Sequence, residues 1–132
     1  MQALRNLAFL LGRLMAAALF IYDAWVTVRS PGGAASYIDK VGLPGDALSL
    51  VLAAAMLIGG LLIVIGLWTR LAALAFAAFC IATATLFHYH TTDVGEMLQM
   101  GKDLAIAGGF LFLAAAGPGV YSLDARRGRG MI

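Results

Sequence analysis

ALSLVLAAAMLIGGLLIVIGLW (Ala47–Trp68), TR (Thr69–Arg70) and LAALAFAAFCIATATLF (Leu71–Phe87) form one continuous stretch, and its reading decides the fold. The first run has 22 residues with Ser49 as its one clearly polar member; the second has 17, softened only by Thr83 and Thr85. A helix rises about 1.5 Å per residue and the hydrocarbon core of a bilayer is about 30 Å thick, so about 20 apolar residues span it. Both runs are expected to span, the second with His88 and Tyr89 at its interfacial end. Two residues cannot cross back, so the two helices are expected to be antiparallel neighbours.

Composition agrees. The chain of 132 residues is 62% hydrophobic and 12% charged, with a mean hydropathy of +0.92. Ordinary soluble domains carry about 25% charged residues and could not hide so much apolar surface. The length suits one domain, 1–132, and a membrane bundle of that size leaves no room for a separate soluble catalytic domain. The net charge is only +2, and the basic residues sit at helix ends, where topology rather than nucleic acid explains them. Cys80, the single cysteine, lies inside the second run, so neither an internal disulfide nor a Cys/His metal spacing is available.

Working outward, Leu7–Val28 is an apolar segment interrupted by Arg13 and Asp23. It is too long for a cleaved secretory signal and reads as a retained helix, with Arg13 snorkelling to the near surface. Arg29–Asp46 is a hydrophilic connection bounded by Pro31-Gly32-Gly33 and Leu43-Pro44-Gly45. Within it, Ala34, Tyr37, Ile38 and Val41 follow helical spacing, which predicts a short interfacial helix. His88–Gln99 reads as a loop. A last spanning helix runs from Met100 to Gly117 and stops at Gly117-Pro118-Gly119, leaving the tail 118–132. The expected fold is therefore all-α: an integral membrane four-helix bundle with helices at about 7–28, 47–68, 71–89 and 100–117.

Four spans put both termini on one side. That side carries Arg5, Arg13, Arg70, Arg126, Arg127 and Arg129 against Asp124 alone. The other carries Arg29, Lys40 and Lys102 against Asp23, Asp39, Asp46, Asp93, Glu96 and Asp103. The positive-inside rule then places both termini in the cytoplasm. Tyr22, Trp25, Phe87 and Tyr89 mark the outer interface, Trp68 and Tyr121 the inner one. Gly59, Gly60, Gly108 and Gly109 are expected to let helix backbones approach closely, a main source of association in lipid.

Ionisable residues inside a membrane are costly and mark functional candidates. Topology brings Asp23, His88, Lys102 and Asp103 to one level near the outer surface, with Thr27 one turn from Asp23 and Thr85 one turn from His88. They are expected to meet in a polar pocket, or, more simply, to supply an Asp23–Lys102 ion pair that ties the first helix to the last. His88 and His90 point to different sides of a helix, so haem or metal ligation is not expected. No Ser/His/Asp or Cys/His set and no phosphate-binding glycine loop appears, so no self-contained catalytic site is expected.

Several pieces stand along the chain in a fixed order: Gly12-Arg13-Leu14, the Ser30-Pro31-Gly32 to Gly42-Leu43-Pro44 loop, Gly59-Gly60-Leu61-Leu62 and Gly66-Leu67-Trp68-Thr69-Arg70-Leu71-Ala72-Ala73. Lys102-Asp103-Leu104-Ala105 and Gly117-Pro118-Gly119-Val120-Tyr121-Ser122-Leu123-Asp124 follow. In their order and spacing these pieces resemble the DoxX family of small four-helix membrane proteins. The resemblance implies a polytopic protein of the bacterial cytoplasmic membrane. It further implies an accessory or anchoring subunit of a quinone- or thiol-linked redox system, with a protein partner or a second copy and a quinone as the ligand. Many members carry a carboxylate before the Gly-Gly pair, where this chain has Met56, and a Gly and a Lys at the end of the first helix, where it has Ala24 and Thr27. If those residues carry quinone or proton chemistry in relatives, this chain either lacks it or has Asp23 substitute. The alternatives are a structural or assembly module and a small-solute transporter; the inner halves of the last three helices offer few polar residues to line a path.

Overall fold

A computed structural model describes residues 1–88 and 92–128, with His88 described in its backbone only. Those residues form α1 (Gln2–Arg29), α2 (Pro31–Asp39), α3 (Gly45–Ile65), α4 (Thr69–His88), α5 (Val94–Ala116) and α6 (Leu123–Arg126), without a strand among them. Four of the six, α1, α3, α4 and α5, are long and apolar enough to cross a membrane. The all-α four-span architecture is thus observed, with α2 between the first two spans. Tyr89 and His90 lie outside the described residues.

Two boundaries depart clearly from the hydropathy reading. α1 begins at Gln2, five residues before Leu7, and α5 at Val94, six residues before Met100. The Asp93 carboxylate accepts the Gly95 N–H at 2.7 Å, and Glu96 sits in the first turn, where negative charge complements the helix dipole. Cap chemistry, which apolar periodicity does not register, supplies the extra turn and a half. At the other end of the hairpin, Gly66 (φ 71°) closes α3 in a left-handed conformation. Its N–H reaches Ile63 O at 3.2 Å, and the Leu67 N–H reaches Leu62 O at 2.9 Å.

Packing is closest between α4 and α5 and between α1 and α3, weaker between α3 and α4, and slight between α1 and α5. The hairpin helices are therefore joined in sequence without being the tightest pair. A Cβ on Gly59 of α3 would lie 2.9 Å from Phe76 Cζ, so the α4 ring stands directly on α3 there. A Cβ on Gly60 would lie 2.7 Å from Ile21 Cγ1 and 3.5 Å from Ala17 O, so α1 and α3 approach almost backbone to backbone. Phe20, Phe76 and Phe110 meet at the bundle centre with ring centroids 4.3, 5.1 and 5.4 Å apart, surrounded by Ala17, Ala73, Ala77 and Ala107. Small residues around a few rings give dense contact where lipid offers no hydrophobic drive for helices to associate. Outward, Leu11, Met15, Leu50, Ile58, Leu71 and Phe112 are exposed, as a lipid-facing surface requires.

Gly108 and Gly109 behave differently from the α3 pair. A Cβ on either meets no atom within 4 Å, so inside this chain they bring no two helices together. The contrast gives a direct expectation. Gly60→Leu should lower stability by about 1–3 kcal/mol through overpacking against α1, read as a fall in melting temperature in detergent. Gly109→Leu should leave the melting temperature where it is or raise it, because a helical glycine is removed into open space.

Candidate functional site

Two polar clusters stand at opposite ends of the bundle, one on the side away from the termini (outer) and one on the side of the termini (inner). The outer one contains residues expected from the sequence, but in a different arrangement. Asp23 is exposed and Thr27 half-buried on α1; Asp103 is half-buried and Lys102 exposed on α5. The Asp103 carboxylate accepts from the Thr83 hydroxyl at 3.3 Å and from Gln99 Nε2 at 3.4 Å. The Thr83 hydroxyl also reaches the Cys80 carbonyl at 3.0 Å, above the buried Cys80 thiol. Asp23 and Lys102 form no ion pair among the described residues, so the simple α1–α5 tie is not made. Consecutive residues on a helix diverge by about 100°, so α5 can turn only one of Lys102 and Asp103 toward the neighbouring helices. His88 ends α4, with its side chain outside the description, and the Thr85 hydroxyl bonds back to Ile81 O at 2.9 Å.

Thr83 and Gln99 are the members the sequence reading passed over. Gln99 is one helical turn from Asp103, a visible signal only once α5 is known to start at Val94. Around this cluster, α2 is fastened to its neighbours. The Tyr37 hydroxyl donates to Glu96 at 3.3 Å, its ring meets Phe87 edge-on at 6.4 Å, and the Gly45 N–H donates to Asp39 at 2.9 Å.

The inner cluster was not foreseen. Arg13 does not snorkel: it is 2% exposed, and its guanidinium reaches across to the chain beyond α5. Nη1 donates to Pro118 O at 2.8 Å and Nη2 to Tyr121 O at 2.6 Å. Asp124, also buried, turns back to the start of α4. Its two oxygens accept the Trp68 N–H and the Thr69 N–H, each at 2.9 Å, and the Thr69 hydroxyl at 3.0 Å. The Asp124 N–H meanwhile donates to Gly66 O at 2.8 Å. Asp124 is thus the N-terminal cap of a helix 55 residues away in sequence. Burial alone would push its carboxyl up, but the three hydrogen bonds from Thr69 and Trp68 and the nearby Arg127 hold it below its ordinary value. A signal for this existed. α4 starts after Leu67-Trp68, neither of which can cap, and the one acid of the basic tail is the group that does.

Between the two clusters, α1 and α5 diverge on the side away from α3. The cleft between them is an apolar groove of about 730 Å³, walled by Phe9, Leu19, Ile106, Phe112 and Leu113, with Gly12 and Gly109 on its floor and Arg5 and Arg13 at its inner end. Asp23 lies one turn beyond Leu19 and Lys102 one turn before Ile106, so the outer polar residues stand at the groove's opposite end.

The DoxX family model matches residues 8–89. The inner membrane protein YqjF of Escherichia coli K12 is 39% identical over 124 residues, covering 94% of this chain and 95% of that protein. The inner membrane protein YphA of the same organism is 32% identical over 130 residues, covering 94% of this chain and 93% of the other. No solved structure matches the chain. With four apolar spans, a family match over most of its length and two relatives aligned end to end, the chain is a polytopic membrane protein belonging to the DoxX family.

Proposed function

We propose that this protein is an inner-membrane subunit that offers a quinol or quinone headgroup a binding place at the outer end of α1 and α5, in the service of an associated oxidoreductase. One observation carries the reading: the half-buried Asp103 carboxylate, held by Thr83 and Gln99, lies at the end of the α1–α5 groove toward which Asp23 also lies. Ionised carboxylates are acceptors only, so a ligand held between them presents hydrogen-bond donors. A quinol has two. Thr27 and Lys102, on the adjoining turns, supply donors suited to the carbonyls of the oxidised form. In this reading the electrons pass through a partner and the binding belongs to this chain. The names of the two relatives and the positive-inside balance support residence in the inner membrane with both termini in the cytoplasm.

The test is purification from native membranes in mild detergent, with extraction of retained quinone and mass spectrometry of retained proteins. Wild-type protein is expected to carry quinone and an oxidoreductase. Asp23→Asn and Asp103→Asn are expected to cut retained quinone about five-fold or more, the loss of one hydrogen bond to a charged acceptor, without moving the melting temperature. Equal quinone in all three preparations would sink the reading.

A further inference from the structure

The inner end of the α1–α5 groove is built differently from the rest of the lipid-facing surface. Arg13 lines it, and although two of its guanidinium nitrogens are satisfied by Pro118 and Tyr121, its buried Nε–H finds no acceptor among the described residues. A buried donor of a charged group left without an acceptor is costly, and more so at membrane depth. Beside it, the groove opens into a second, more polar hollow at the surface that the termini face, walled by Arg5, Asn6, Pro118 and Val120. The two share Arg5, Phe9 and Ala116, so the polar mouth and the apolar groove are continuous. The floor is open: a Cβ at Gly12 or Gly109 would touch nothing within 4 Å.

An apolar channel at acyl-chain depth and a cationic mouth at headgroup depth match one kind of molecule. We propose that this groove is a binding site for an anionic glycerophospholipid of the leaflet that the termini face. One acyl chain lies between α1 and α5, and the phosphate meets Arg5 and Asn6 at the mouth, with Arg13 lining the passage between them. Charge complementarity selects the headgroup, since the same end of the molecule also carries the exposed Arg126 and Arg127 and its one nearby acid, Asp124, is already committed to α4. Basic hollows between spanning helices on the cytoplasmic side are where anionic lipids are held. A neutral phospholipid fills the channel equally well but brings no net charge to the mouth. This site is independent of the outer carboxylates and of any quinone bound there.

The experiment is native mass spectrometry of the full chain equilibrated with equimolar phosphatidylglycerol and phosphatidylcholine of identical chains. Wild-type protein is expected to retain phosphatidylglycerol over phosphatidylcholine by about ten-fold. Arg5→Gln is expected to bring the ratio to near one, and Gly109→Leu, which fills the channel, to remove the tightly held lipid of either kind. Arg29→Gln, a cation lost from the opposite end, should leave the ratio as in wild type. Equal retention of the two lipids by the wild type, or Arg5→Gln and Gly109→Leu both indistinguishable from it, overturns the proposal. So does a dimer that Gly109→Leu dissociates, which assigns the groove to a second copy. Soluble glycerol phosphate competing as well as the intact lipid overturns the channel's part.

Discussion

Asp124→Ala is expected to be among the most damaging single substitutions in this chain, although it lies in a tail of basic residues. It leaves the Trp68 N–H, the Thr69 N–H and the Thr69 hydroxyl without their acceptor, and Thr69 is fully buried. Loss of a cap costs about 1 kcal/mol, and each stranded buried donor adds about 1–3 kcal/mol, with water recovering part of it at the exposed Trp68. A destabilisation of about 3 kcal/mol follows, measurable by reversible unfolding in mixed micelles. Asp124→Asn retains one acceptor oxygen and should recover about half. A melting temperature unchanged in the alanine variant would show that the cap does not hold the hairpin.

The same group sets an acid limit. The folded-state carboxyl titrates below its ordinary value of 3.8. Its contribution is therefore complete at pH above about 4, the unfolded value, and is lost as the pH falls further through the folded one. Wild-type protein should lose stability over that acid range, and Asp124→Asn should lose less of it.

Arg13→Met carries the second large effect. The substitution keeps the volume of the stem but strands Pro118 O and Tyr121 O, which now receive charge-assisted hydrogen bonds at 2.8 and 2.6 Å. Such bonds contribute about 1.5–3 kcal/mol each, so a loss of about 3 kcal/mol is expected even though an isolated buried charge is also removed. The readout that separates this from general loosening is local. Trypsin should cut at Arg126 and Arg127 about ten-fold faster, because freeing 118–121 lets α6 open without unfolding the bundle. Arg13→Lys, a point donor that cannot fork to both carbonyls, should fall between the two. In the double variant with Asp124→Ala, the losses should sum to less than the separate values, since both residues hold the same tail. Strict additivity would mean two independent fastenings.

The candidate sites were legible to unequal degrees. Asp23, Thr27, Lys102 and Asp103 stand out in the sequence because charge is rare in apolar helices. Hydropathy fixes their depth, yet it leaves the rotation of each helix open, and rotation is what sets Asp103 toward α1 and α4 and turns Lys102 outward. Thr83 and Gln99 became visible only with that rotation. Arg13 and Asp124 misled for a related reason. On a single helix, an arginine two turns from the end reads as snorkelling and an acid among arginines reads as surface, because nothing local shows the carbonyls and N–H groups that await them.

The residues by themselves determined the class of structure. The lengths of the apolar runs, the breakers between them and the bilayer's thickness allow little besides four spanning helices, and an uncharged interior dictates that backbone groups pair within each helix. Which helices pack was decided only in three dimensions. The sequence offers Gly-Gly pairs on two helices as equals, but the pair in α3 meets α1 and Phe76, while the pair in α5 faces open space. The groove between α1 and α5, the capping of α4 from the far end of the chain and the seating of Asp103 against Thr83 all follow from that choice. The physical reason is that hydropathy sets depth, one coordinate of each residue. Partners are set by helix rotation and pairing, which arise from the fit of rings against small residues summed over the whole bundle.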